Sequence, residues 1–195
     1  MPDLRGRLRR TLTAATIAAA LAFSFAAGAL PTGVQPPPIA GRFSLMTLDG
    51  RHVTERSFYG KWLLVYFGYT FCPDVCPTQL AEVADALQRL GPSAKRWQPI
   101  FVTVDPLRDT AKETREYLKA FDPRILGLRG DPSEIEVAAK QFHVYYRARA
   151  LGDGSYAVDH SSFLYVLDPR GRFVQILAGN MPGHDLANTL REIAK

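Results

Sequence analysis

Cys72 and Cys76 are the only cysteines in the 195-residue chain, and they lie in the stretch Gly68-Tyr69-Thr70-Phe71-Cys72-Pro73-Asp74-Val75-Cys76-Pro77-Thr78. A thiol pair at this separation can form a static bridge, exchange disulfides or bind a soft metal ion. A bridge closing so short a loop removes little entropy from the unfolded chain, which argues against a purely structural disulfide. The C-x-x-x-C spacing carries one residue more than the C-x-x-C of dithiol redox enzymes. The extra residue alters the turn that a strained, exchangeable disulfide needs and gives the two sulfurs more freedom to converge on an ion. Pro77 suits the first position of the helix that follows. That places Cys76 near the N-cap and Cys72 in the loop above, where unpaired backbone N–H groups favour thiolate. Each cysteine also precedes a proline, which biases both away from helical geometry.

Two thiolates seldom complete a metal site, so a third ligand is sought among four histidines, His52, His143, His160 and His184. His52 follows the Asp49-Gly50 turn and reads as a surface residue. His143 opens an apparent strand to Tyr146 with a structural role, and His184 falls in the first turn of the last helix. His160 closes a turn-rich stretch, Leu151 to Val158, just before a strand beginning at Ser161. By position alone it is either a ligand or an ordinary loop histidine. Asp159 beside it could accept an imidazole N–H and so orient the ring. If His160 joins the sulfurs, the set suits copper: thiolates select Cu(I), and imidazole lets the site hold Cu(II) as well. Structural zinc would call for a fourth ligand. In an oxidising compartment, pairing of the cysteines would abolish the site until they were reduced.

The elements that must position these residues follow from hydrophobic periodicity. Phe43 to Thr54 reads as a hairpin turned by Asp49-Gly50 in a type I′ turn. Trp62 to Phe67 is a continuous apolar run, a strand buried on both faces. Leu80, Val83, Ala84, Leu87 and Leu90 form one helical stripe, stopped at Gly91-Pro92. Pro99 to Val104 is a second buried strand. Thr110 to Glu113 is a capping-box pattern opening a helix to about Phe121, and Asp131-Pro132 opens another through Phe142. Phe163–Leu167 and Phe173–Leu177 are strands joined through Asp168-Pro169-Arg170-Gly171, and Leu186, Leu190 and Ile193 mark a closing helix. The order hairpin, β, α, β, α, α, hairpin, α is that of a thioredoxin-like α/β fold with an N-terminal hairpin extension. In such a sheet the loop before the late hairpin faces the cysteine loop. Thioredoxins place a cis-proline there; this chain offers Asp159-His160.

The formal charge is +5, and residues 1–10, with Arg5, Arg7, Arg9 and Arg10 against Asp3, carry +3 of it. The remainder is close to neutral and has no Lys/Arg run, which gives no electrostatic case for nucleic-acid binding. Residues 11–30 contain no ionisable side chain, and a helix of that length rises about 30 Å, enough to cross a bilayer core. The arginines before it would stay cytoplasmic, so the rest of the chain would lie outside. Ala27-Gly28-Ala29 could be a signal-peptide cleavage site; a retained transmembrane anchor is the preferred reading because the apolar run is long for a signal core. Residues 31–40, with Pro36-Pro37-Pro38, read as an extended linker to a domain spanning 41–195.

Three motifs in order resemble the Sco/SenC family of copper proteins. They are Tyr66 to Pro77 around the cysteines, Val104-Asp105-Pro106-Leu107-Arg108-Asp109-Thr110, and Val158-Asp159-His160 ahead of a strand ending Leu167-Asp168-Pro169. Leu107 departs from the pattern, since many members carry a charged residue there. The resemblance implies that Cys72, Cys76 and His160 bind copper as Cu(I) or Cu(II). It further implies a metallochaperone role in assembling the CuA centre of cytochrome c oxidase subunit II, with another copper chaperone or a thiol reductant as further partners. The setting it implies is an inner-membrane anchor with the domain facing the periplasm or the equivalent extracytoplasmic side. The competing role is that of an enzyme, a thiol–disulfide oxidoreductase acting through Cys72 and Cys76 on the CuA cysteines or other exported thiols.

Overall fold

The computed structural model describes residues 38–152 and 154–195. The expected basic end, the membrane segment at 11–30 and most of the linker fall outside these residues. Among the described residues, no helix is long and apolar enough to cross a membrane.

The domain is mixed α/β around a seven-stranded sheet of order β2-β1-β5-β4-β3-β8-β9. Its centre is β3 (Trp62–Gly68), whose apolar run leaves every residue from Leu63 onward buried. β4 (Trp97–Thr103) lies parallel to β3 after α1 (Val75–Leu90), the connection that a parallel pair requires. α2 (Ala111–Leu118) leads to β5 (Leu126–Arg129), parallel to β4. The hairpin of β1 (Ser44–Thr47) and β2 (His52–Thr54) extends that edge through β1 against β5. On the other side β8 (Phe163–Leu167) runs antiparallel to β3 and turns into β9 (Phe173–Ala178). α3 (Pro132–Phe142) and α4 (Gly183–Ile193) complete the helices, with α4 packed along α1. Outside the main sheet, β6 (Tyr146–Ala150) and β7 (Tyr156–His160) form a two-stranded ribbon.

Helices cover both faces. Successive strand residues point to opposite sides. Phe67 meets Phe142 of α3 at a ring separation of 5.1 Å, while neighbouring Tyr66 tilts against Phe101, which in turn contacts Tyr117 of α2. This layout is consistent with the thioredoxin-like reading of the sequence.

Several local expectations are corrected. The first hairpin does not use a type I′ turn: its loop is Leu48, Asp49 and Gly50. Gly50 N–H donates to Thr47 O at 3.0 Å, and only Gly50 takes positive φ, 86°. Asp49 avoids the left-handed region and instead accepts from the Thr47 hydroxyl and from Arg51 Nε. α2 ends at Leu118 rather than Phe121. Thr110 caps it by accepting Glu113 N–H, but Thr110 N–H goes to Arg108 O, so the reciprocal half of the box is taken by a turn. His143 opens no strand; it terminates α3 in the left-handed conformation at φ 55°. The sequence reading lacks the strand β5 and the ribbon β6–β7; the stretch read as turn-rich keeps its turn around residues 151–155, but from Tyr156 onward it is strand.

Candidate metal centre

The cysteine loop leaves the end of β3 through Gly68, a position where any side chain would press on its neighbours. A Cβ there would come within 3.0 Å of Cys76 Sγ, Phe101 and Tyr66. Thr70 then anchors the loop: its N–H and hydroxyl both donate to Asp109, at 3.0 and 2.6 Å. Asp109 is fully buried and also accepts from the Thr103 hydroxyl. Burial pushes its pKa up, against the opposing pull of these hydrogen bonds.

α1 starts earlier than the proline suggested. Asp74 is the N-cap, without a side-chain hydrogen bond, and Val75 and Cys76 are the first two helical residues. Pro77 occupies the third position, where its missing N–H is equally harmless because the first turn has no intrahelical acceptors. The capping role falls to sulfur: Cys72 Sγ receives Cys76 N–H at 3.4 Å. Both cysteines are buried and unpaired by any disulfide.

The hydrogen bond from the Cys76 thiol, reinforced by His160 and by backbone N–H groups, lowers the Cys72 pKa to about 4 despite burial. The same interaction pushes Cys76 well above the ordinary thiol range, because its proton is held by Cys72 and its surroundings are apolar. At neutral pH the pair therefore carries one shared proton, with the negative charge centred on Cys72.

His160 arrives from the opposite direction, as the last residue of β7. Its Nε2 lies 3.3 Å from Cys76 Sγ. Its Nδ1 lies 3.0 Å from the carbonyl oxygen of Ser161. A carbonyl can only accept, so Nδ1 carries a hydrogen, and Nε2 faces the sulfurs: as an N–H donor to thiolate when the ring is protonated, as a free lone pair when it is neutral. The imidazole stands edge-on to Tyr66 and Tyr69, with ring separations of 6.2 and 5.7 Å. The ligand atoms of Cys72, Cys76 and His160 all lie within 4.8 Å of one another, the geometry of a three-donor metal pocket.

The expected role of Asp159 is corrected. Alternation along β7 turns its carboxylate away from the ring of His160, and it pairs with Arg149 on β6 at 3.2 Å. The Ser161 main chain does the orienting instead. The remaining histidines stay outside the site: His52 is exposed beside Glu134, His184 is exposed beside Asp185, and His143 caps α3. Thr70, Arg108, Asp109 and Tyr156, which frame the centre, were not singled out from the sequence. Thr70, Arg108 and Asp109 stood only within motifs, and a pairing such as Thr70 with Asp109 spans 39 residues without a local signal.

A mixed α/β domain with two sulfurs and one imidazole converging at the start of its first helix defines a class of soft-metal or dithiol proteins. Comparison with known proteins narrows this: the SCO1/SenC family model matches residues 32–195, and the chain belongs to that family. It is 40% identical over 158 residues to the mitochondrial "Protein SCO1 homolog 1" of Arabidopsis thaliana, covering 80% of this chain and 46% of that protein. The chain thus spans about half the length of this curated relative. Among solved structures, Bradyrhizobium japonicum ScoI with copper bound superposes with a TM-score of 0.73 at 40% identity, covering 80% of this chain and 99% of that one. Arabidopsis thaliana ScoI with copper bound gives 0.75 at 39% identity, covering 80% and 99% respectively.

Proposed function

We propose that this chain is a copper metallochaperone that takes up one Cu(I) or Cu(II) ion through Cys72, Cys76 and His160 and helps assemble the CuA centre of cytochrome c oxidase subunit II. The observation that carries the reading is the approach of three donor atoms of suitable softness to within 4.8 Å of one another. Two thiolates suit Cu(I), and a neutral imidazole with its free nitrogen aimed inward extends the set to Cu(II). The fit extends to the proton inventory. Cys72 is already ionised at neutral pH, so loading need displace only the proton held between the sulfurs. With three protein ligands rather than four, an incoming donor from a partner can bind before the resident ligands let go, which is what ligand-exchange delivery requires. Copper-bound relatives and family membership support the cargo. The setting that accords with the apolar segment at 11–30 is the inner membrane, with the thioredoxin-like domain on the periplasmic side. A copper donor or a thiol reductant would act upstream.

Anaerobic titration of the reduced protein with Cu(II), followed by absorption spectroscopy, tests the reading. One equivalent should give intense sulfur-to-copper charge transfer, and the absence of that band would count decisively against the site. His160→Ala should sharply weaken Cu(II) binding.

A second reading, thiol–disulfide oxidoreductase, is favoured by the unequal ionisation of the two thiols, since a low-pKa cysteine beside a protonated partner is the arrangement of an attacking pair. The same His160→Ala variant separates the two. A chaperone fails with it, whereas dithiol exchange persists.

A further inference from the structure

The three donor atoms ride on two segments that share no sheet: the sulfurs on the loop and helix after β3, the imidazole at the open end of the β6–β7 ribbon, opposite its turn. Something must fix the distance between them. The loop following β4, which carries Asp105, Arg108 and Asp109, touches both.

On the ribbon side, Arg108 Nη1 donates to the backbone carbonyl of Tyr156 at 2.8 Å. Its guanidinium lies over the Tyr156 ring, 3.6 Å from the centroid. The Tyr156 hydroxyl donates to Asp105 Oδ1 at 2.8 Å, and Arg108 Nε holds the other oxygen of that carboxylate. Tyr156 begins the strand that His160 ends. On the cysteine side, the same guanidinium sits 4.8 Å from the ring of Phe71 and 5.8 Å from that of Tyr69, and Tyr69 is one of the two rings against which His160 stands. Asp109, the next residue, grips Thr70 of the cysteine loop. The Arg108 side chain is 22% exposed, so water competes little for these contacts.

We propose that Arg108 is a positioning residue that sets the imidazole of His160 against the cysteine sulfurs by tying the β6–β7 ribbon to the cysteine loop. The task needs a planar cation that can donate in a fixed fork while stacking on aromatic faces, which arginine does and lysine does not. The inference rests on the copper-binding reading for its metal readout, but it makes a separate claim about the metal-free protein.

The test uses the full chain with Arg108→Lys and, as a milder change, Tyr156→Phe, each compared with the parent. In the metal-free proteins, amide hydrogen exchange of residues 156–160 should accelerate roughly tenfold or more in Arg108→Lys, while amides of β3 and α1 keep their protection. In the copper-loaded proteins, Cu(II) affinity should fall about 10- to 100-fold, the range typical when a ligand loses its supporting contacts. The imidazole nitrogen coupling in the electron paramagnetic resonance spectrum should weaken in parallel, and Cu(I) affinity should change far less. Tyr156→Phe, which keeps the stacking, should show the same pattern at smaller amplitude. Unchanged ribbon exchange and unchanged nitrogen coupling in Arg108→Lys would overturn the proposal. So would faster exchange spread evenly over β3 and α1, which marks a general loss of stability. A parent protein that binds no copper would refute the metal reading alone, and the exchange arm would still decide the role of Arg108.

Discussion

At Cys72 the thiol is ionised by its neighbours rather than by exposure: a hydrogen bond from Cys76, the nearby imidazole and the N–H groups opening α1 all favour the charged form. The sign follows directly. With a folded pKa of about 4 against an ordinary 9.0, this residue is thiolate throughout the neutral range and becomes protonated only as pH falls through about 4. The stability it contributes therefore grows from about pH 4 toward 9.0 and is lost on acidification. Cys76, shifted the other way, should stay protonated well beyond 9.0. Ultraviolet titration of the reduced, metal-free protein should accordingly show one thiolate at pH 7, vanishing near pH 4, with no second until strongly alkaline pH. Two thiolates appearing together near the ordinary value would contradict the geometry. Cys72→Ala should erase the acidic step.

At the scale of elements, the segment after His160 is seated by a close backbone approach. A Cβ on Gly179, just past β9, would sit only 1.5 Å from the carbonyl oxygen of Ser162, so the two chains meet at a distance that glycine alone permits. Gly179→Ala should lower the unfolding free energy by roughly 2 kcal/mol or more, in the range of severe steric substitutions. It should also disturb Cu(II) binding, because residues 161 and 162 carry the ring's support; chemical denaturation and metal titration check the two effects. These elements differ in how far the sequence disclosed them. β3, β4 and α3 were legible because Leu63 to Phe67 and Ile100 to Val102 are unbroken apolar runs and Asp131-Pro132 is a full cap. β5 escaped because Leu126-Gly127-Leu128-Arg129 is short and interrupted by glycine. The ribbon escaped because Tyr146-Arg147-Ala148-Arg149-Ala150 is mostly exposed and offers no apolar face to read. The cysteines and His160 could be picked by chemistry and resemblance, whereas Ser161 could not, since a main-chain acceptor leaves no residue-type signal.

Across the whole molecule, the centre joins the end of the central sheet to a ribbon outside it, so an ion bound there adds a crosslink to the one that Arg108 makes between them. Such a ligand stabilises the folded state in proportion to its saturation, by about 2.7 kcal/mol at one hundred times the dissociation constant. One equivalent of Cu(II), added anaerobically to the reduced protein, should therefore raise the thermal midpoint. His160→Ala should reduce the gain while leaving the metal-free midpoint nearly unchanged, because the ring is only partly buried. Calorimetry of the two proteins with and without the ion reads both quantities, and an equal gain in the variant would remove the imidazole from the ligand set.

The support of the imidazole by a peptide carbonyl has a consequence for how this protein tolerates change. Replacing Ser161 would remove the hydroxyl that receives the Tyr145 N–H, yet any of the twenty amino acids would still supply the oxygen that meets Nδ1. The choice of ring tautomer is thus immune to single codon changes at that site, and an exhaustive mutational scan would pass over it in silence. Only chemistry on the main chain itself, such as an ester in place of the 161–162 amide to weaken that oxygen as an acceptor, would bring it into view.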